Sequence, residues 1–243
     1  MAKERWIAGQ PESNRDGVAT ARTLIERYGD VPLGPSVADS DSVPVVRVEA
    51  FTPQALEAEV ERQAGRFKEL GFHKRLKMSA GRFKDHLMGL VVPQPETFVG
   101  RFNIPVIGFG QIPIAEQARL VDIDFWLEGL TVSDWLQDPQ GYRTPDRTYL
   151  TWMQDGRINI GKSVRDVRTG LAPDERGATV QDGIGLYVGH TEVLNDHNID
   201  LPGTSVGSDS AAGLSQWGDR PELSSGRIEY PDSDWGSASG GRV

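Results

Sequence analysis

The chain has 243 residues, enough for one ordinary domain with an extension, and it carries a formal net charge of −9. Such an acidic chain is repelled by nucleic acid and by anionic membranes, so neither is expected as a partner. The chain contains no cysteine, which excludes thiol catalysis, disulfides, iron–sulfur clusters and cysteine-based zinc sites. No secretory leader and no membrane-spanning apolar run is visible, so a soluble cytoplasmic protein is expected.

The N-terminal part differs in composition from the rest. Residues 31–44, "VPLGPSVADSDSVP", are rich in Pro, Gly, Ser and Asp, which is typical of a linker. We therefore predict a mobile N-terminal arm over residues 1–42 with one short helix. A single α+β domain follows over residues 43–243, with a mixed or antiparallel sheet and packed helices, and a strand is expected over 43–51.

Capping residues predict three helices in this domain. Thr52 before Pro53 begins the first, and Ser79 begins the second. Thr179 and Asp182 have the spacing of a capping box, so a third helix is predicted after them despite its interior glycines. Alternation predicts strands over residues 104–110 and 118–126, and the segment 131–138 is expected to form a short helix. The basic side chains of residues 62–84 are expected to be the solvated face of the first two helices.

The stretch "GRINIGKS", residues 156–163, matches the phosphate-binding loop pattern G-x-x-x-x-G-K-[ST]. A functional loop of this kind lies between a buried strand and a helix whose N-terminus faces the phosphates. Here apolar alternation on both sides of Asp155–Gly156 favours a β-hairpin over residues 149–161. Phosphate binding by Gly161, Lys162 and Ser163, as in a nucleotide-binding enzyme, remains the alternative.

Two further patterns are weak. The segment "GTSVG", residues 203–207, matches the nucleophile elbow of hydrolases, but the last histidine, His197, precedes Ser205 instead of following it. His190 and His197 are two helical turns apart, too far for one metal ion on a straight helix. We therefore predict no catalytic residue, no metal site and no cofactor.

The C-terminal segment supplies the candidate ligand-binding residues. An indole beside hydroxyl groups and a guanidinium can stack on a ligand and form hydrogen bonds with it. The candidates are Trp235, Ser237, Ser239 and Arg242. The competing interpretation is that Trp235 fills the core while the tail folds over it.

Three segments resemble a bacterial family catalogued as a domain of unknown function. They are residues 59–72, residues 175–194 and the terminal "WGSASGGRV", residues 235–243. The matching positions are Gln63, Gly71, Phe72, Arg176, Thr179, Asp182, Gly183, Glu192, Val193, Leu194, Trp235, Gly236, Ser237, Ala238, Ser239 and Arg242. The resemblance covers about residues 50–243 and brings no established activity. The chain departs from the family in its segment "IEYPDSDW", which lacks the family's Cys-rich, Trp-rich composition, and in its N-terminal extension.

These observations favour a non-enzymatic module that binds a protein partner or a small ligand. One alternative is an enzyme acting on phosphate-containing compounds through Lys162 and the basic segment. Another is a structural subunit of a larger assembly that is docked by the N-terminal arm.

Overall fold

The computed structural model of the protein describes residues 50–218 and 220–242, and for Trp217 it describes the backbone alone. The predicted N-terminal arm, its short helix and nearly all of the strand predicted over 43–51 lie outside the described residues. The described chain folds as a single α+β domain, which confirms the predicted fold class. None of its helices is long and apolar enough to cross a membrane.

The helical part begins with three elements whose caps follow the sequence. Helix α1 spans Pro53–Glu69, and the Thr52 side chain accepts a hydrogen bond from Ala55 N at 3.1 Å. The short helix α2 spans Phe72–Arg75, and α3 spans Ala80–Met88 with Ser79 as its N-cap. Three of their aromatic residues pack around the buried Phe109: Phe67 edge to face, Phe72 tilted and Phe83 stacked. This aromatic cluster builds one end of the core.

The first sheet has four antiparallel strands in the order β1-β4-β10-β5. Strand β1 spans Ile104–Phe109, β4 spans Thr148–Gln154, β5 spans Glu175–Gly177 and β10 spans Ser239–Gly241. Helix α4, Ile114–Val121, follows β1, and helix α5, Val164–Gly170, follows β4.

The second sheet runs β2-β8-β7-β6-β3, and β9 pairs with β6 in parallel. Two short strands, β2 at Asp124–Phe125 and β3 at Val132–Asp134, form its edges. The long strands are β6 at Asn198–Val206, β7 at Ser210–Trp217 and β8 at Arg220–Arg227, and β9 spans Trp235–Ser237. Strands β9 and β10 are consecutive in the chain, so the C-terminal segment passes from the second sheet to the first.

Helix α6, Val180–Gly189, packs closely against the sheets because of its glycines. A Cβ at Gly185 would lie 2.3 Å from the carbonyl oxygen of Ile107, and one at Gly183 would lie 2.8 Å from the Leu201 side chain. The predicted capping box of Thr179 and Asp182 is present at the start of this helix. The interior glycines that weaken the helical pattern in the sequence are therefore explained by close packing.

Three local predictions are wrong. Residues 157–160 do not return as a strand, because Arg157–Asn159 form a 3₁₀ helix and β10 pairs with the end of β4. The strand predicted over 118–126 is reduced to Asp124–Phe125, because residues 118–121 are the end of α4 and its left-handed C-cap Asp122 directs the chain into β2. The predicted helix over 131–138 is absent, because Val132–Asp134 form the edge strand β3, which pairs with β6. In each case the sequence pattern of a short segment is ambiguous, and contacts with distant parts of the chain determine its secondary structure.

Candidate functional site

The C-terminal strands separate the four predicted ligand-binding residues. Ser237 and Ser239 are fully buried, and the Ser239 hydroxyl bonds to Gln154 and Glu175. Arg242 donates to both carboxylate oxygens of Asp138. These contacts give Ser239 and Arg242 roles inside the first sheet, so the four residues do not form one exposed surface.

Trp235 lies at the wall of an open cavity of about 230 Å³ on the outer face of the second sheet. Its indole covers Gly213 of β7 so closely that a Cβ there would lie 2.5 Å from the ring atom Cζ3. The side chain is only partly buried, so Trp235 neither fills the core nor stands free of the fold. The absence of a side chain at Gly213 thus makes room for an aromatic wall.

Strand register places Asp200 in the same cavity. Ser237, Asp200, Gly213 and Ser224 lie opposite one another in β9, β6, β7 and β8. Residues that lie opposite one another across a sheet point to the same face. The adjacent row, with Ile199, Leu214 and Leu223, is completely buried and faces the core. The sheet therefore has an apolar inner face and, at the cavity, a polar outer row.

The Asp200 carboxylate is poorly compensated. Burial raises its pKa to about 6, and repulsion from Asp232 adds to this rise. The Ser237 hydroxyl, at 3.5 Å from Oδ2, and the charge of Arg168 oppose the shift only in part. Arg168 is itself desolvated, since burial lowers its pKa to about 10. Asp200 therefore lacks the close cationic partner that buried carboxylates ordinarily have.

The remaining walls are aromatic and polar. Tyr230 lies at the rim and is 67% exposed, and the lining also includes Ser225, Arg227 and Asp232. Arg227 makes no ion pair with any residue that the structure describes. Trp235 was predicted from the sequence as a ligand-binding residue, whereas Asp200 was not. The sequence signal for Asp200 is the alternation of Ile199, Asp200 and Leu201, in which one acidic residue stands on the outward face.

No family model, curated protein or solved structure matches the chain.

Residues 156–163, which match the phosphate-binding loop pattern, lie between a strand and a helix. Most of their backbone N–H groups, however, already donate hydrogen bonds within the protein. The N–H groups of residues 156, 157 and 159–162 all donate within the protein, that of Gly161 to the Trp235 carbonyl at 3.1 Å. Lys162 Nζ donates to Asn159 Oδ1 at 3.0 Å, and Ser163 caps α5 through a pair of hydrogen bonds with Asp166. The Asp166 carboxylate lies at the helix start, where it would repel a phosphate. The geometry therefore does not favour phosphate binding by Gly161, Lys162 and Ser163.

Replacing Lys162 by Ala is expected to change nothing in nucleotide binding, because the loop offers no free cradle of N–H groups. Titration of ATP or GTP with magnesium should show no saturable affinity in either protein. The free energy of unfolding should change by less than about 0.5 kcal/mol, as for other surface substitutions. Micromolar binding that is lost in Lys162→Ala would contradict this account and restore the enzyme alternative.

The other weak motifs are placed by the same strands and turns. Ser205 lies within β6 and not on a sharp turn, and its hydroxyl accepts a bond from Arg168 at 3.3 Å. His190 contacts Glu59, whereas His197 Nε2 lies 2.9 Å from the Asp155 carbonyl. Within residues 50–218 and 220–242, no group of three His, Asp or Glu side chains is arranged to hold a metal ion.

A buried ion pair lies between the first sheet and α6. Arg176 and Asp182 are almost completely buried and are joined by two hydrogen bonds, the shorter at 2.6 Å. Asp182 also accepts hydrogen bonds from the Thr179 N–H at 2.7 Å and from the Tyr149 hydroxyl at 2.9 Å. The carboxylate is thus fully partnered, which distinguishes it from Asp200 and indicates a structural role.

Proposed function

We propose that the protein is a non-enzymatic module that binds a small organic cation in the cavity beside Trp235. The observation that carries the proposal is Asp200, a largely buried carboxylate that faces this cavity without a close cationic partner. A carboxylate in that state is stabilised by any ligand that brings a positive charge to it. Asp232, which lines the same cavity, adds to the attraction. Arg227 in the lining opposes it, but it is not among the charges that shift the pKa of Asp200.

The aromatic wall supports the same class of ligand. An ammonium group is attracted to the face of an indole, and the attraction is larger where water is excluded. Trp235 and Tyr230 offer such surfaces next to Asp200, and the hydroxyls of Ser224 and Ser225 can accept hydrogen bonds from ammonium protons. The cavity volume of about 230 Å³ suits a ligand of small size.

Several broader statements belong to this proposal. Binding without catalysis is an inference from the sequence, in which the two motif matches lack the structural context or the order of residues along the chain that their chemistry needs. The cysteine-free composition supports a reducing compartment, which we infer to be the cytoplasm. Membership of the uncharacterised bacterial family, and docking of an assembly through the N-terminal arm, remain predictions.

The direct test compares three probes of similar size and different charge: butylammonium, 1-butanol and butyrate. We expect only butylammonium to shift the indole resonance of Trp235 in a saturable titration at pH 7.5. Its affinity should fall about tenfold or more in Asp200→Asn, since that variant removes the countercharge. Trp235→Leu should also weaken binding, whereas Glu128→Gln, at an exposed carboxylate, is the matched control. Tighter binding of butyrate, or unchanged affinity in Asp200→Asn, would exclude the proposal.

The affinity for butylammonium should also depend on pH. Asp200 must be ionised to attract the cation, and its pKa in the folded protein is about 6. At pH values below 6, the association constant should increase about tenfold for each unit by which the pH is raised. Above about pH 7 it should become independent of pH. Titrations between pH 4.5 and 8 measure this, because the pKa of the amine lies well above the range. An affinity that stays constant across the interval would contradict the role of Asp200.

A further inference from the structure

The second edge of β4 is only partly occupied. On one side of β4, every residue of β1 is paired, with partners that run from Thr148 to Met153. On the other side, β10 pairs with Met153 and Gln154 alone. Among the described residues, no strand lies beside Thr148 and Leu150 on that side. Within the part of the chain that the structure describes, the first sheet therefore has an internal gap along β4.

Hydrogen-bond parity shows which backbone groups face the gap. Gly110 donates its N–H to the carbonyl of Arg147 at 3.1 Å, continuing the register of β1 and β4. Hydrogen-bonded pairs alternate along an antiparallel ladder, so the odd-numbered residues of β4 bond to β1. The N–H and C=O groups of Thr148 and Leu150 consequently point toward the gap.

An open cavity of about 500 Å³ lies along this edge. Four consecutive residues of β4, Thr148 to Thr151, form one wall, as expected for a cavity that meets a strand edge-on. Leu90, Val92 and Leu150 give it an apolar part. Its charged or titratable lining residues other than tyrosine are His86, Arg147 and Arg176, and none of its lining residues is acidic.

The basic part of the lining has an available charge. Arg176 is neutralised by Asp182, but Arg147 is exposed and forms no ion pair with a described residue. His86 lies exposed at the rim beside the apolar wall. The net charge of −9 repels anions in general, but this cavity is lined by Arg147 and His86 and by no carboxylate, so locally it favours an acidic occupant.

We propose that this cavity binds an extended acidic peptide, which adds as a strand to the free edge of β4. Backbone groups of the peptide pair with Thr148 and Leu150, as in other cases of strand addition. Alternate side chains of a strand point to opposite faces. Aliphatic residues of the peptide therefore face Leu90, Val92 and Leu150, and its acidic residues face Arg147. This site is separate from the cavity beside Trp235.

The probe is the acetylated and amidated pentapeptide Val-Glu-Val-Glu-Val. We expect it to bind in fluorescence anisotropy when labelled, and to slow hydrogen exchange of the Leu150 amide by about tenfold or more at saturation. The amides of Tyr149 and Thr151, which bond to β1, should be protected with and without peptide. Replacing both Glu by Lys, or Arg147 by Gln in the protein, should weaken binding.

Backbone methylation distinguishes strand addition from simple charge attraction. Two isomers of the probe carry N-methyl groups either on the Val amides or on the Glu amides. Only one edge of the added strand faces β4. One isomer should therefore bind like the parent peptide, and the other should bind at least about tenfold more weakly. Equal affinity of both isomers, no binding of the parent peptide, or protection of the Leu150 amide in the free protein would overturn the proposal. The last result would mean that the protein's own chain already covers the edge.

Discussion

Replacing Asp182 by Asn is expected to lower the free energy of unfolding by about 3–5 kcal/mol at pH 7, because it leaves the Arg176 charge buried without a partner. The change also weakens the capping box at the start of α6 and the hydrogen bond from Tyr149. Denaturant unfolding followed by circular dichroism measures the loss. The double variant Arg176→Met/Asp182→Leu should recover only part of it, since the Thr179 N–H and the Tyr149 hydroxyl stay unpaired.

The control for Asp182 is an exposed ion pair. Glu229 pairs with Arg165 at the surface, and both side chains are more than half exposed. Glu229→Gln should therefore cost less than about 1 kcal/mol. A loss in Asp182→Asn no larger than in Glu229→Gln would show that the buried pair contributes little.

The contribution of Asp182 should disappear in acid. Burial alone would raise its pKa, but the charge of Arg176 and the hydrogen bonds from Arg176 and Thr179 hold it below the ordinary value of 3.8. A carboxyl whose pKa is lowered by folding stabilises the protein at pH values above the pKa that it has in the unfolded chain. That stabilisation is lost as the pH falls through the pKa that it has in the folded protein. The difference between wild type and Asp182→Asn should thus be constant above about pH 5 and shrink below pH 3.8.

Replacing Asp200 by Asn is expected to have the opposite sign and to stabilise the protein at neutral pH. Folding raises the pKa of Asp200 from 3.8 to about 6, chiefly through burial. A carboxyl of this kind favours the folded state below its unfolded pKa, and that advantage is lost as the pH rises through the folded pKa. The variant should be about 3 kcal/mol more stable than wild type at pH 8 and within about 1 kcal/mol of it near pH 4.

The matched control for Asp200 is Glu128→Gln, which removes one exposed negative charge and should change stability by less than about 0.5 kcal/mol at either pH. Unfolding curves at pH 4 and pH 8 give the comparison. If Asp200→Asn were less stable than wild type at pH 8, the carboxylate would be a partner of the fold. The ligand site would then lose its physical basis.

The helix N-caps could be predicted from the sequence because each cap involves residues only three positions apart. Thr52, Ser79 and Thr179 each begin a helix as predicted. The secondary structure of the segments after Gly156 and Thr131 could not be predicted from the sequence, because it depends on strands that are distant along the chain. Gly156 approaches the Gly236 carbonyl, so that a Cβ there would lie 2.4 Å from its oxygen. No pattern within residues 149–163 contains that contact.

The candidate site shows the same limit. Trp235 could be selected because a C-terminal indole among hydroxyl groups is conspicuous in the sequence. Asp200 lies 35 positions away and joins it only through the register of β9 with β6, in which Asp200 faces Ser237. Sequence spacing also suggested that Ser239 and Arg242 belong with Trp235. The crossing of the chain from β9 to β10 places them in a different sheet.

The most direct measurement of the central claim is the pKa of Asp200 itself, followed through its side-chain ¹³C carboxyl resonance. In the free protein the resonance should titrate near pH 6, and added butylammonium should lower the midpoint because the cation favours the ionised form. An ordinary midpoint near 3.8 that butylammonium does not move would contradict the account.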